Sequence, residues 1–192
     1  MSRTPADLLR MAAEDTDIGL NYAHYKPMEA FIKERGFKSG IEIGTAYGGL
    51  ANHLLSTCEL ELLITIDPYK YYPDMPGLFD QEDYDRLREQ TKFRLYEKYK
   101  NVQMYRITSE DFYNKSPAYK HYFDFIFIDG LHKYDTVKWE CNHYQNLVKV
   151  GGCLMGHDYD IFEDVNKAVE EFANEQQKKL QLLKGNIWYI EY

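Results

Sequence analysis

Four of the five segments that read as strands lead into a carboxylate, which a purely structural sheet gives little reason to expect. Asp67 closes Thr65-Ile66-Asp67-Pro68-Tyr69, and Asp129 closes Phe127-Ile128-Asp129-Gly130-Leu131-His132. Asp158 follows Gly156-His157, and Ser109-Glu110-Asp111 follows the run at 102–107. Asp67 stands 23 positions after Gly44, where an acid accepts two hydrogen bonds from ribose hydroxyls; equally, it stops a strand ahead of Pro68. Asp129, His157 and Asp158 offer two carboxylates and an imidazole at adjacent strand ends, a set that can bind a divalent cation; equally, Asp158 caps a turn and His157 packs. Oxygen ligands favour Mg²⁺, while the histidine also admits Mn²⁺ or Fe²⁺. His132, three residues beyond Asp129, is matched to take a proton from a hydroxyl near neutral pH, or it is a solvent-facing histidine at a helix start. His24, His53, His121 and His143 have no comparable company and read as surface or packing residues.

These residues need elements that bring them together. The run Gly40-Ile41-Glu42-Ile43-Gly44-Thr45-Ala46-Tyr47-Gly48-Gly49-Leu50 reads as a buried strand, a glycine loop and the start of a helix. Such a junction lets backbone N–H groups approach a ligand, since glycine has no Cβ. It has neither the G-x-G-x-x-G spacing of a dinucleotide site nor the Gly-Lys-Ser/Thr ending of a P-loop. Strands are expected at 41–43, 62–66, 102–107, 123–128 and 153–155, with helices between them at 47–57, at 80–99 with Asp80 as cap, and through Val137, Cys141, Tyr144 and Val148. A helix starting at Asp160 and Glu163 carries Ile161, Val165, Ala168, Val169 and Phe172, and a Lys184-Gly185-Asn186 turn joins a closing hairpin. Two helices precede the alternation, one opened by Thr4-Pro5 and one over 27–35 stopped by Gly36. Strands apolar on both faces, alternating with amphipathic helices, imply a mainly parallel, doubly wound sheet covered on both sides. A three-residue turn cannot join parallel strands, so the hairpin adds an antiparallel strand and makes seven in all. Ligands of such sheets sit beyond the carboxyl ends of the strands, where the polar residues above gather.

The length of 192 residues suits one domain with a sizeable core. A net charge of −8, with no Lys/Arg cluster, argues against a nucleic-acid partner. It is compatible with a cationic ligand, and equally with mere solubility. Cys58, Cys141 and Cys153 form no C-x-x-C pair and read as small buried apolar residues in a reducing compartment. No apolar run approaches ~18 residues, and the opening residues lack the apolar stretch of a secretory signal. A cytoplasmic protein without a membrane span is expected. The segment 69–80, with Tyr69, Tyr71, Tyr72, Pro73, Pro76, Gly77 and Phe79, is long enough to act as a lid over a small-molecule acceptor, or it is a surface loop or the contact of a homodimer.

An acid inside the first strand followed by Gly-x-x-x-Gly, here Glu42 with Gly44 and Gly48, resembles motif I of the class I S-adenosylmethionine (SAM) methyltransferases. The stretches Phe123-Asp124-Phe125-Ile126-Phe127-Ile128-Asp129-Gly130-Leu131-His132-Lys133-Tyr134-Asp135 and Leu147-Val148-Lys149-Val150-Gly151-Gly152-Cys153-Leu154-Met155-Gly156-His157-Asp158-Tyr159 resemble one family within that class. This family includes small-molecule and sugar O-methyltransferases and is similar more distantly to the catechol O-methyltransferase group. The resemblance spans about residues 40–172. It implies SAM as donor, with Gly44, Thr45, Ala46 and Tyr47 around its methionine end and Asp67 on the ribose; Ser109 and Glu110, past the third strand, would then flank the adenine, or they cap the next helix. It also implies His132 as general base, and Asp129 either in a metal site with His157 and Asp158 or on the methionine amine. Many relatives carry an acid where this chain has Leu131, and the catechol group has Asp-Asn where this chain has His157-Asp158. The reading is a SAM-dependent methyltransferase acting on a hydroxyl of a small molecule such as a sugar. The alternative is a non-catalytic SAM-binding or interaction module, which would have no need of a base beside the methyl group.

Overall fold

The chain crosses from one side of its sheet to the other around its first strand, and that crossover fixes where a ligand can sit. The computed structural model describes residues 24–72 and 80–192. Helix α1 (Tyr25–Arg35) leads into β1 (Ser39–Ile43), α2 (Gly49–Thr57), β2 (Leu62–Ile66), α3 (Gln81–Lys98), β3 (Val102–Tyr105) and α4 (Ser109–Lys115). The chain then returns through β4 (Phe123–Ile128), α5 (Tyr134–Tyr144), β5 (Val148–Gly156), α6 (Glu163–Glu175), β6 (Gln181–Leu183) and β7 (Ile187–Glu191). The strands lie in the order β3-β2-β1-β4-β5-β7-β6. β1 pairs in parallel with β2 on one side and β4 on the other, while β7 runs antiparallel to both β5 and β6. The expected seven-stranded, doubly wound sheet with a closing antiparallel hairpin is the one observed. Its topological switch point lies between β1 and β4, where a crevice opens at the carboxyl ends.

Period-two alternation sorts the central strands into two cores. Ile126 and Ile128 of β4 join Ile41, Ile43, Ile64 and Ile66 against Val137, Cys141 and Tyr144 of α5 and Val165, Val169 and Phe172 of α6. Phe125 and Phe127 face the other way, onto Met28 and Ile32 of α1, Leu50 and Leu54 of α2, and Leu95 of α3. Phe123 breaks the alternation: it packs in the first core, and the β4–β5 register shifts between it and Phe125. All three cysteines are buried free thiols. Among the described residues, no helix is long and apolar enough to cross a membrane.

Several element boundaries differ from those expected. Asp80 does cap α3, accepting the Asp83 N–H at 2.9 Å. Helix α6, however, starts at Glu163 rather than Asp160: Asp160 sits at φ +67°, outside helical space, and Ile161 is 56% exposed. Val148 belongs to β5, because a 3₁₀ turn at Gln145–Leu147 ends the helix before the helical spacing reaches it. β3 stops at Tyr105, α2 starts at Gly49, and β5 extends over nine residues. The Thr4-Pro5 helix and the lid residues Pro73, Pro76, Gly77 and Phe79 lie outside the described residues.

Candidate active site

The glycine loop is held open by backbone packing. Gly44 leaves β1 at φ +95°, and a Cβ there would lie 2.0 Å from the carbonyl oxygen of Asp129. The ends of β1, β2 and β4 are thereby locked together, with Gly44 N–H donating to Ile66 O and Asp129 N–H to Ile43 O, both at 2.8 Å. Asp67 fastens the loop from β2: Oδ2 accepts the Ala46 N–H at 2.9 Å and Oδ1 accepts the Tyr69 N–H at 2.7 Å. Burial pushes its pKa up against the pull of these bonds. Each oxygen keeps a second lone pair with which to meet a ligand.

Beyond the loop lies a cavity of about 660 Å³, lined by Gly44, Ala46, Asp67, Ser109, Glu110 and Asp129 among the expected residues. Glu42, Thr45, Tyr47 and Gly48 do not line it. Glu42 is buried behind the loop, where desolvation and then the charges of Asp129 and Asp67 hold its carboxyl well above the usual range, and its Oε2 has no partner. Tyr47 turns its hydroxyl to that of Tyr25, 3.1 Å away, so its ring supports α1 instead of facing the cavity. Residues not singled out from sequence complete the wall, notably Tyr84 and Leu87 of α3 and Thr136, Trp139 and Glu140 of α5. Glu140 could have been found: it stands on the Val137–Cys141–Tyr144 stripe, a carboxylate on a core-facing helical position.

Asp129 belongs to two neighbourhoods, the cavity and a cluster of imidazoles and carboxylates. His132 Nε2 lies 2.8 Å from Asp158 Oδ2 and 3.8 Å from Asp129 Oδ1. His157 Nδ1 lies 3.2 Å from Asp158 Oδ1 and 3.5 Å from Asp129 Oδ1. The His132 ring is stacked on Phe162 with centroids 4.5 Å apart, and His157 packs against His24 at 4.2 Å. Burial alone would lower both imidazole pKa values, but the two carboxylates outweigh it and raise His132 to about 9 and His157 to about 10. Asp158 moves the other way: burial pushes it up, and the two imidazoles pull it down further. The donor atoms of Asp129, His132 and Asp158 all lie within 4.8 Å of one another. This set can hold a divalent cation, with His132 standing where the sequence reading placed His157.

A glycine loop, an acid at the next strand end and a mixed cluster at the switch point can serve several chemistries, and comparison with known proteins narrows them. Residues 41–159 match the family model described as a methyltransferase domain. The chain belongs to that family. No protein of curated function matches it by sequence. Among solved structures it is similar to an O-methyltransferase from Bacillus cereus in complex with SAH, at 15% identity and a TM-score of 0.62, covering 100% of this chain and 92% of that one. It is also similar to the O-methyltransferase TomG from Streptomyces achromogenes in complex with SAM, at 14% identity and a TM-score of 0.58, covering 100% and 90%. At these identities the likeness is one of fold. In this methyltransferase the family match spans the glycine loop, Asp67, Asp129 and the His157-Asp158 pair, so one inherited frame holds both the cavity and the cluster.

Proposed function

We propose that this methyltransferase uses SAM to methylate a hydroxyl oxygen of a small molecule such as a sugar, with His132 as the base. The observation that supports this most is that Asp129 lines the donor-sized cavity and also lies 3.8 Å from His132, which pairs with Asp158. A group that takes up a proton therefore stands one side chain away from the ligand space, which a module that merely binds SAM would not need. In this reading Gly44 and Ala46 wall the space for the methionine end, Asp67 meets the ribose, and Ser109 and Glu110 the adenine. Tyr69 and Tyr72 also line the cavity and would flank the lid.

SAM supplies an activated methyl group on a sulfonium, so the chain has to align the acceptor, exclude water and make a hydroxyl nucleophilic. Alignment supplies up to ~7–11 kcal/mol in well-oriented systems. An alcohol near neutral pH also needs a positioned base, worth about 10²–10⁴-fold. His132 takes up the hydroxyl proton, and Asp158, 2.8 Å from its Nε2, stabilises the resulting imidazolium. Asp129 and Asp158 would hold a divalent cation such as Mg²⁺, which lowers the pKa of a bound hydroxyl. We place the reaction in a reducing compartment such as the cytoplasm, in keeping with the three buried thiols.

The test is incubation with methyl-labelled SAM and a panel of sugars and phenols, with and without EDTA. Label is expected on an oxygen of one acceptor, with activity lowered by chelation and restored by Mg²⁺. Full activity after exhaustive chelation would remove the cation, and no heat on titrating SAM into the protein would end the reading altogether.

A further inference from the structure

We propose that Glu140, acting through the hydroxyl of Ser109, selects a 6-amino purine in the donor and rejects its 6-oxo counterpart. This rests on the SAM reading above and adds a determinant on α5 to it. Glu140 is 2% exposed, yet it lines the cavity. Its Oε1 accepts from Ser109 Oγ at 2.7 Å, and its Oε2 has no partner. The fold does not require a carboxyl there, since Val137, Cys141 and Tyr144 on the same face pack into the core. A buried oxygen with nothing to bond is costly and calls for a donor from outside the protein. Ser109 is tied to the same helix a second time, its main-chain oxygen accepting from Tyr144 Oη at 2.8 Å, so its position is fixed.

The polarity of this corner follows from proton counting. A hydroxyl has one hydrogen. Ser109 gives its hydrogen to Glu140 and presents only lone pairs to the cavity. The free Oε2 adds a further acceptor beside it. An exocyclic amine brings two N–H donors to a place offering two acceptors. A 6-oxo group would bring lone pairs against lone pairs. Ile66, Leu131 and Trp139 supply apolar wall for the ring itself. Burial pushes the Glu140 carboxyl up to about 7, with the Ser109 bond opposing the rise, so the carboxylate form predominates at pH 8.

The experiment is calorimetric titration of the whole chain at pH 8 with S-adenosylhomocysteine and with S-inosylhomocysteine. The native protein is expected to prefer the adenosyl compound by about 100-fold or more, since a site built around a hydrogen bond rejects the mismatched group strongly. In E140Q, either orientation of the carboxamide places an N–H where the carboxylate offered only lone pairs, so the preference falls below about tenfold. Ser109→Ala is expected to reduce it in the same direction and decides the matter if E140Q fails to fold. The ratio of two ligands does not depend on the folded fraction, so a merely structural Glu140 would leave it unchanged. Native protein that binds both compounds equally overturns the proposal while leaving the SAM reading intact, as does retention of the native ratio in the folded variants. Absence of binding by either compound overturns both.

Discussion

A free imidazole loses its proton near pH 6.5, but His132 keeps its proton to about 9, because Asp129 and Asp158 outweigh the cost of burying its charge. A base must be unprotonated to act, so without a divalent cation kcat is expected to climb with pH up to about 9. A cation on the two carboxylates competes for their charge and moves that rising limb to lower pH. A pH–rate profile with and without Mg²⁺ checks the sign, and a limb that stays near pH 6.5 in both would separate His132 from the carboxylates. His132→Ala is expected to lower kcat by about 10²–10⁴-fold while leaving the SAM Kd within about threefold. Equal loss of binding and rate would take the base role away from it. The type and spacing of Asp129, His132 and Asp158 were legible in sequence. That both His132 and His157 reach the two carboxylates was not, because it depends on side-chain direction at two adjacent strand ends.

Among the elements, the β1–loop–α2 junction carries the donor site, and its geometry singles out Gly44. Alanine there meets the Asp129 carbonyl at 2.0 Å and must also hold φ +95°. Neither neighbour is a flexible side-chain tip that could move away. Gly44→Ala is expected to cost about 2–4 kcal/mol and to weaken SAM binding by at least about tenfold, as read by thermal melting and titration. Gly36→Ala is the control: it also has positive φ, at +64°, but finds nothing within 4 Å, so it loses only about 1–2 kcal/mol of backbone preference with binding unchanged. The loop before α6 shows the limit of local patterns. Asp160 with Glu163 looks like a helix start, yet the chain uses Asp158 and Asp160 at positive φ to turn first. The Ile161 and Phe162 N–H groups both reach back to Asp158 O, at 3.1 and 3.2 Å, which sets the Phe162 ring under His132.

Across the whole molecule, the two ends of the sheet divide the labour. Carboxylates at the carboxyl ends gather around the cavity, while Asp124, at the opposite end, ties strands together. Its Oδ2 accepts from Lys38 N–H, Ser39 N–H and the Ser39 hydroxyl at 2.8–2.9 Å, and its Oδ1 pairs with Lys149. It thus joins β4 to the start of β1 and to β5. Burial raises its pKa, but these partners outweigh burial and hold it below the ordinary value. The stability it contributes is therefore present above the ordinary carboxylate range and is lost as pH falls through it. Asp124→Asn is expected to cost about 1–3 kcal/mol at pH 7 and to flatten the decline in Tm between about pH 5 and pH 3, with SAM binding unchanged when folded. An unaltered acid limb would show that Asp124 does not govern it. At the far side of the sheet, Trp188 of β7 is fully buried over Gly156, the residue just before the His157-Asp158 pair, so the closing hairpin also braces the cluster.

Alternating apolar runs, glycines at strand ends and a three-residue turn determined the seven-stranded, doubly wound architecture, because periodicity and turn chemistry act over a few residues and leave their mark in the chain. The same local rules placed Asp67, Asp129 and Asp158 at carboxyl ends of strands, and the first two line one cavity. Only the tertiary structure decided which loop residues face the cavity, that Tyr47 turns away to Tyr25, and that Glu140 reaches Ser109 from 31 positions along the chain. Those outcomes depend on the direction in which each side chain leaves a packed element. Direction is set by neighbours distant in sequence, and no spacing rule encodes it.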